Sequence, residues 1–345
     1  MRTLVISDLH LGSLLQRDVL RRPAALLALA DHVAEADRLV LLGDTLELYE
    51  GRPDAVAAVA RPILQKLAGA LPAGGEIVVV TGNHDHALVR ARIRAMRANG
   101  TPLRPTAQLP RTATPELEAL CSWLRPAHVE VRYPGVWLEP GVWATHGHYL
   151  DRHLVDALLG RTPAEGSRMA AMDYEGVPGL DAGWIGEAAG SVLPEPIAAR
   201  AEDAVAGIRR ALATGVPLLA MLPGAAALNA AGPMLLDHGM HQRAALPAMA
   251  AVARRLRLSA DWVIFGHIHR RGPLRDDPPP IWAPLGGGGP RLVNSGSWVY
   301  DSVLTGTGSH RPYRPGGAVL VESGRDPRPL DLLADVPDDV MRVRV

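Results

Sequence analysis

The chain has few of the residues that mark disulfide-rich or nucleic-acid-binding proteins. Cys121 is the only cysteine among 345 residues, so no disulfide can form within the chain. Aromatic residues make up 4% of the sequence, and the formal net charge is zero. Surfaces that bind nucleic acid usually combine a basic groove with stacking aromatic rings, so this composition argues against a nucleic-acid partner. The lone thiol fits a reducing compartment. Because the first predicted strand begins at Arg2, we expect no secretory signal and a cytoplasmic protein.

Long apolar runs are also scarce, with one exception. Residues 211–236 contain no charged side chain, and a run of this length could span a membrane. Pro217, Pro223 and Pro233 interrupt it, and small alanines lower its hydrophobicity. We therefore expect a packed helical hairpin, with a surface that contacts lipid or an acyl chain as the alternative. The alternative would place the protein peripherally at the inner face of the membrane.

Short polar fragments occur in order along the chain, each after an apolar stretch typical of a buried strand. The predicted strands are residues 2–7, 38–42, 76–81, 142–145 and 261–265. The fragments that follow them are Asp8-Leu9-His10, Gly43-Asp44, Gly82-Asn83-His84-Asp85, His146-Gly147-His148 and Gly266-His267-Ile268-His269. Ligand sites in such sheets gather beyond the carboxyl ends of the strands, so these fragments are expected to meet at one edge.

The fragments supply carboxylate, amide and imidazole groups but no thiolate. A single Asp-x-His is most often an ordinary capping or core element, whereas five such fragments on successive strands favour metal binding. Ligands of this kind suit Mn²⁺, Fe, Zn²⁺ or Co²⁺. We expect two divalent ions, with Mn²⁺ favoured, that bind a phosphoryl oxygen and acidify a bridging water. The expected nucleophile is then a metal-bridging hydroxide rather than a side chain.

The order of these motifs resembles the calcineurin-like metallophosphoesterase superfamily over the span from Asp8 to His269. The resemblance implies two ion sites that share one aspartate: the first held by Asp8, His10, Asp44 and His269, the second by Asp44, Asn83, His146 and His267. It implies an α/β fold in which two stacked sheets are flanked by helices, an αββα sandwich. It also implies a dinuclear metal-dependent hydrolase of a phosphoester or phosphoanhydride.

The flanks of three motifs, residues 7–12, 43–48 and 294–298, further resemble a bacterial branch that includes UDP-2,3-diacylglucosamine pyrophosphatases. Pyrophosphatases of that branch usually carry arginine at the position of His84, so the resemblance leaves the substrate open. We expect a phosphorylated small molecule or a lipid-linked substrate. The alternatives are a DNA or nucleotide phosphodiesterase, and a pyrophosphatase that acts on a lipid-linked nucleotide at the membrane surface.

Two residues are predicted to be catalytic. His84 follows Asn83 but is not needed as a ligand, so we expect it to donate a proton to the leaving oxygen or to stabilise the charge there. Asp85 is expected to orient His84, as carboxylates commonly do for histidine. A helix N-cap is the competing interpretation of Asp85.

Three further side chains are weaker candidates for substrate contact. His148 lies two residues after His146, on the same side of an extended segment, and could reach the substrate. Arg270 and Arg271 follow His269 and could clamp a phosphate. The competing interpretations are a structural hydrogen bond for His148 and exposure to solvent for the arginines.

The spacing of the motifs predicts one catalytic domain that carries an insertion. Residues 1–150 and 259–345 are expected to form the catalytic domain, and residues 151–258 a helical insertion that caps the active site, because so long a connection should fold by itself. Helices are predicted at residues 23–36, 53–71, 86–99 and 116–124 in the catalytic domain and at 200–212 and 242–256 in the insertion. Two further strands are predicted at residues 291–294 and 317–322, and a loop rich in proline and glycine at residues 276–290.

Overall fold

The computed structural model describes residues 1–13, 15–49, 51–158, 168–175, 241, 244–283, 289–301, 304–306 and 310–342. The helix predicted at residues 200–212 and the uncharged run at residues 211–236 lie outside the described residues. So does most of the predicted insertion, and its role as a cap stays a prediction.

The larger sheet carries the first three motifs. Its strands are β1 (Arg2–Ile6), β2 (Arg38–Leu42), β3 (Glu76–Val80), β4 (Ala107–Leu109), β5 (His128–Tyr133), β10 (Gly317–Glu322) and β11 (Arg328–Asp331). Their order across the sheet is β11-β10-β1-β2-β3-β5-β4. β1, β2, β3 and β5 run parallel, whereas β4, β10 and β11 pair antiparallel with their neighbours. The parallel pairing brings the carboxyl ends of β1, β2 and β3 to one edge.

The smaller sheet carries the last two motifs. It consists of β6 (Gly135–Glu139), β7 (Val142–Thr145), β8 (Trp262–Phe265) and β9 (Arg291–Asn294), in that order. β7, β8 and β9 run parallel, and β6 pairs antiparallel with β7. The carboxyl ends of β7 and β8 are therefore adjacent, which places His146 beside Gly266, whose amide donates to the His146 carbonyl oxygen (2.9 Å).

The two sheets face each other through a core of branched aliphatic side chains. Val5 of β1 belongs to a buried cluster with Val136 and Ile264 of the smaller sheet. Its neighbours Leu4 and Ile6 belong instead to the larger cluster on the other face, as the two-residue period of a strand requires. This arrangement confirms the predicted two-sheet sandwich.

Helices cover the outer faces. They are α1 (Pro23–Ala34), α2 (Pro53–Ala70), α3 (Ala87–Ala98), α4 (Pro115–Trp123), α5 (Leu154–Leu158), α6 (Ala171–Tyr174), α7 (Leu246–Arg255), α8 (Pro279–Trp282) and α9 (Asp338–Met341). Proline opens α1, α2 and α4, where its missing amide proton costs no helical hydrogen bond. Leu29 of α1 and Met249 of α7 are among the fully buried residues of the outer core.

The predicted strands and the first four helices are confirmed to within two residues at each end. β4, β5, β6 and β11 have no counterpart among the predictions, and α8 lies inside a predicted loop. Strands from both parts of the predicted catalytic domain share each sheet, although its boundaries stay a prediction. Among the described residues, none of the helices has the length and apolar character that crossing a membrane requires.

Candidate metal centre

Most candidate ligands adopt a backbone conformation that non-glycine residues rarely take. The left-handed φ angles are 54° at Asp8, 45° at His10, 51° at Asp44, 68° at His267 and 56° at His269. In the described part of the chain, only Gln16 and Arg257 also show positive φ without being glycine. Each such residue costs about 1–2 kcal/mol. Strain of this kind persists where the surrounding structure enforces it, and its concentration on the candidate ligands points to a functional site.

One group consists of Asp8, His10 and His269. Each of them offers one ligand atom, and the three atoms lie within 4.8 Å of one another. His269 Nε2 is 3.2 Å from Asp8 Oδ1 and 3.2 Å from His10 Nε2. Metal–ligand bonds of about 2.0–2.2 Å place neighbouring ligand atoms about 3 Å apart. These separations therefore suit three ligands of one ion.

A second group contains Asp44, His146 and His267. His146 Nε2 lies 3.2 Å from Asp44 Oδ2 and 3.2 Å from the side-chain oxygen of Asn83. The other nitrogen of His146 contacts the Leu42 carbonyl oxygen (3.1 Å), which fixes the orientation of the ring. The structure thus brings together all seven residues predicted to be ligands.

Asp44 lies between the two groups. Its Oδ2 atom is 3.2 Å from His146 Nε2 in the second group and 3.7 Å from His10 Nε2 in the first. The same carboxylate oxygen therefore adjoins both groups, as a bridging ligand requires.

Backbone close to Asp44 leaves no room for a side chain. A Cβ atom on Gly82 would clash with Asp44 Oδ1 and with the His146 ring. Gly43 has a φ of 87° and its Cβ would meet the same ring. Glycine at these positions lets β2 and β3 bring their following loops against the ligands.

The charges at the site are arranged as in a cation-binding centre. Burial opposes ionisation of Asp44, but the positive charges of His146, His84 and His10 hold its pKa well below the ordinary value. Burial also disfavours protonated imidazoles here, yet the carboxylates raise the pKa of His146 to about 10 and that of His10 to about 9. Ligand imidazoles must be neutral to bind metal, so a cation at this site would replace those protons and supply the same positive charge.

Glu47 connects the metal ligands to His84. Its buried carboxylate accepts from His10 Nδ1 (2.7 Å) and from His84 Nδ1 (2.8 Å). Burial raises the pKa of Glu47, but these hydrogen bonds and charges outweigh it and lower the pKa to about 2. From the sequence, Glu47 is expected to line a helix start near the site, but not to hold His84. Its position three residues after Asp44 was the available signal.

Comparison with protein families matches residues 1–165 to the calcineurin-like phosphoesterase family. This segment, slightly less than half of the chain, is similar to a family of hydrolases that act on phosphoesters. The matched segment contains Asp8, His10, Asp44, Asn83 and His146. His267 and His269 come from beyond it, carried to the same edge by β8.

Curated proteins and solved structures add little to this family match. No curated protein matches the chain. Among solved structures, the chain is similar to a cold-active protein-tyrosine phosphatase from a psychrophilic Shewanella species, with 13% sequence identity and a TM-score of 0.31. The match covers 94% of this chain and 76% of the other.

The prediction that Asp85 orients His84 is wrong. Asp85 is fully buried, and its carboxylate accepts from the backbone amides of Gly82 (2.7 Å) and Thr45 (2.8 Å). Asp85 therefore ties the loop after β3 to the loop after β2. The carboxylate that holds His84 is that of Glu47. Burial and the charge of Asp44 raise the pKa of Asp85 to about 6.

His148 is a structural hydrogen-bond partner rather than a substrate contact. Its buried Nε2 atom meets the Tyr133 hydroxyl at 3.2 Å. Burial and the positive charges of His146, His86 and His267 hold its pKa well below the ordinary value. The Tyr133 hydroxyl in turn donates to Glu175 (2.6 Å), which also pairs with His86 (3.0 Å). This network fastens the described segment 168–175 to the domain.

The two arginines predicted to clamp phosphate each pair with an aspartate instead. Arg270 is fully buried, pairs with Asp277 through two hydrogen bonds (2.8 and 2.6 Å) and lies over the Trp282 ring. Arg271 pairs with Asp331 (2.7 Å) and lines a separate cavity of about 560 Å³ that includes none of the predicted ligands. Both residues follow the candidate ligand His269 in sequence, but their side chains pair with aspartates outside the candidate metal centre.

Proposed function

We propose that the protein is a dinuclear metal-dependent hydrolase of phosphoesters or phosphoanhydrides. The observation that carries this proposal is the position of Asp44 Oδ2 beside both His146 Nε2 and His10 Nε2. A single oxygen shared by two ligand groups is the arrangement that a two-ion centre needs.

The donor set fits such a centre. Carboxylate, amide and imidazole groups suit Mn²⁺, Fe, Zn²⁺ and Co²⁺, of which we propose Mn²⁺. When bound, two such ions lower the pKa of water and neutralise charge on a phosphoryl group. Asp8, Asp44 and Glu47 are buried carboxylates. Without cations they would repel a phosphate anion, so activity should depend on metal.

His84 is placed to assist departure of the leaving group. Its Nδ1 atom is held by Glu47, and its backbone amide donates to Asp44 Oδ1 (2.9 Å). The side chain is 27% exposed, so part of the ring is open to a substrate. As water attacks phosphorus and the bond to the leaving oxygen breaks, His84 would donate a proton to that oxygen.

The substrate is proposed only by class. The resemblance of residues 7–12, 43–48 and 294–298 to pyrophosphatases makes a phosphoanhydride, including a lipid-linked one, the alternative to a phosphoester. A screen of Mn²⁺-loaded protein against p-nitrophenyl phosphate, bis-p-nitrophenyl phosphate and lipid pyrophosphates distinguishes these bonds. Absence of turnover on all of them would contradict the proposal.

His84→Ala tests the proposed chemistry. The variant should keep its metal and lose about 10²–10⁴-fold in turnover of an alkyl phosphate, with a smaller loss for nitrophenolate, which needs no proton to leave. His128→Ala, at an exposed histidine of β5, is the matched control and should behave as wild type. Equal losses for both leaving groups would exclude the proton-donating role.

A further inference from the structure

Asp151 contacts one of the candidate ligands from outside both ligand groups. It follows β7 in a short 3₁₀ helix, His148–His153, at the start of the predicted insertion. Its Oδ1 atom lies 2.9 Å from His267 Nε2, and both side chains are largely buried, with 18% and 15% exposed. Among the described residues, the ligand groups within 4.8 Å include His267 but not Asp151.

The other ligand histidines show what such a contact does. The Nε2 atoms of His10 and His146 lie among the ligands, and their Nδ1 atoms meet the Glu47 carboxylate (2.7 Å) and the Leu42 carbonyl oxygen (3.1 Å). Each ring therefore has one nitrogen in the site and one on an acceptor. Acceptors of this kind fix the tautomer and the orientation of metal-bound histidines.

We propose that Asp151 is the positioning residue of His267. The inference rests on the proposed two-ion centre. The Asp151 carboxylate holds the ring proton on Nε2 and leaves the Nδ1 lone pair of His267 for the second ion.

The backbone of His267 is fixed independently. Its amide donates to both carboxylate oxygens of Asp8 (3.1 and 3.0 Å), and its φ of 68° is left-handed. The backbone contacts leave the imidazole ring free to rotate, and the hydrogen bond to Asp151 restrains its orientation. Because Asp151 is the first residue of the predicted insertion, the contact also joins the first turn after β7 to the second ion site.

Metal titration of the metal-free protein tests the proposal. Calorimetry with Mn²⁺ should show that Asp151→Ala weakens binding of one of the two ions by about 10–100-fold, the usual effect of removing an outer partner of a ligand histidine. Asp151→Asn keeps an acceptor of the same size but not the charge, and should lie between Asp151→Ala and wild type. Asp156→Asn, in the following helix α5, removes the same charge nearby and should bind both ions as wild type does.

Electron paramagnetic resonance gives a second readout. With two equivalents of Mn²⁺, the wild type should show a spin-coupled pair, whereas Asp151→Ala at the same concentration should show isolated Mn²⁺. Circular dichroism verifies folding, and Asp151→Asn preserves the test if Asp151→Ala unfolds. Wild-type affinity for both ions in the two variants would overturn the proposal. Failure of the wild type itself to bind two ions would instead overturn the proposed function.

Discussion

Glu47→Gln should weaken metal binding and proton donation together. The substitution keeps the size of the side chain but removes its charge. In the wild type, Glu47 Oε2 lies 2.7 Å from His10 Nδ1 and 2.9 Å from His84 Nδ1. Both rings therefore lose a charged acceptor in the same substitution.

The magnitude follows from the pKa of Glu47, which is about 2 against an ordinary 4.5. This difference corresponds to roughly 3 kcal/mol at about 1.36 kcal/mol per pH unit. Because the folded-state pKa is depressed, the stabilisation is complete above pH 4.5 and disappears as the pH falls towards 2. Near neutral pH, the full stabilisation of the Glu47 carboxylate is therefore present. Removing the outer partner of a ligand histidine usually weakens metal binding by about 10–100-fold, so Mn²⁺ affinity at the His10 site should fall by about that factor.

Equilibrium dialysis with Mn²⁺ measures the affinity, and turnover of an alkyl phosphate and of p-nitrophenyl phosphate at saturating Mn²⁺ measures proton donation. The alkyl ester should suffer the larger loss. Glu130→Gln removes an equal charge from β5 and serves as the control. If the two variants bind Mn²⁺ equally well and turn over both esters equally fast, Glu47 does not couple His10 to His84.

Three further predictions concern the surroundings of the site. Arg270→Ala should lower the free energy of unfolding by about 3–5 kcal/mol in urea titration, because it leaves the buried carboxylate of Asp277 unpaired; a loss under about 1 kcal/mol would contradict this. Burial lowers the pKa of His153 from 6.5 to about 4, so its neutral ring stabilises the fold above pH 6.5 and this contribution is lost as the pH falls towards 4. Between about pH 7 and 5, the free energy of unfolding of the metal-free wild type should fall by about 2 kcal/mol more than that of His153→Gln. Equal losses in the two proteins would refute this contribution of His153. Gly82→Ala should abolish calorimetric Mn²⁺ binding, because the added methyl group displaces Asp44; retained binding would show that the loop can move aside.

The ligands could be predicted because each follows a strand whose apolar run is legible in the sequence. Gly43 directly follows β2 and Gly82 lies two residues after β3, and the next residues, Asp44 and Asn83, lie at the shared edge. Parallel pairing of buried strands then leaves little choice about where these side chains meet.

The hydrogen-bond partners of His84 could not be predicted in the same way. Asp85 adjoins His84 in sequence, but its carboxylate satisfies two buried backbone amides, which would otherwise lack acceptors. Glu47 reaches His84 only because the loops after β2 and β3 lie side by side. Likewise, the burial of Arg270 depends on Asp277, seven residues further on in a proline-rich loop. Such pairings follow from tertiary packing, which local sequence does not specify.

The most direct test of the two-ion centre is anomalous scattering from crystals of the Mn²⁺-loaded protein. Two peaks about 3.5–4 Å apart are predicted, both within bonding distance of the Asp44 carboxylate. One peak should adjoin Asp8, His10 and His269, and the other Asn83, His146 and His267. A single peak, no peak, or two peaks of which only one touches Asp44 would contradict the account.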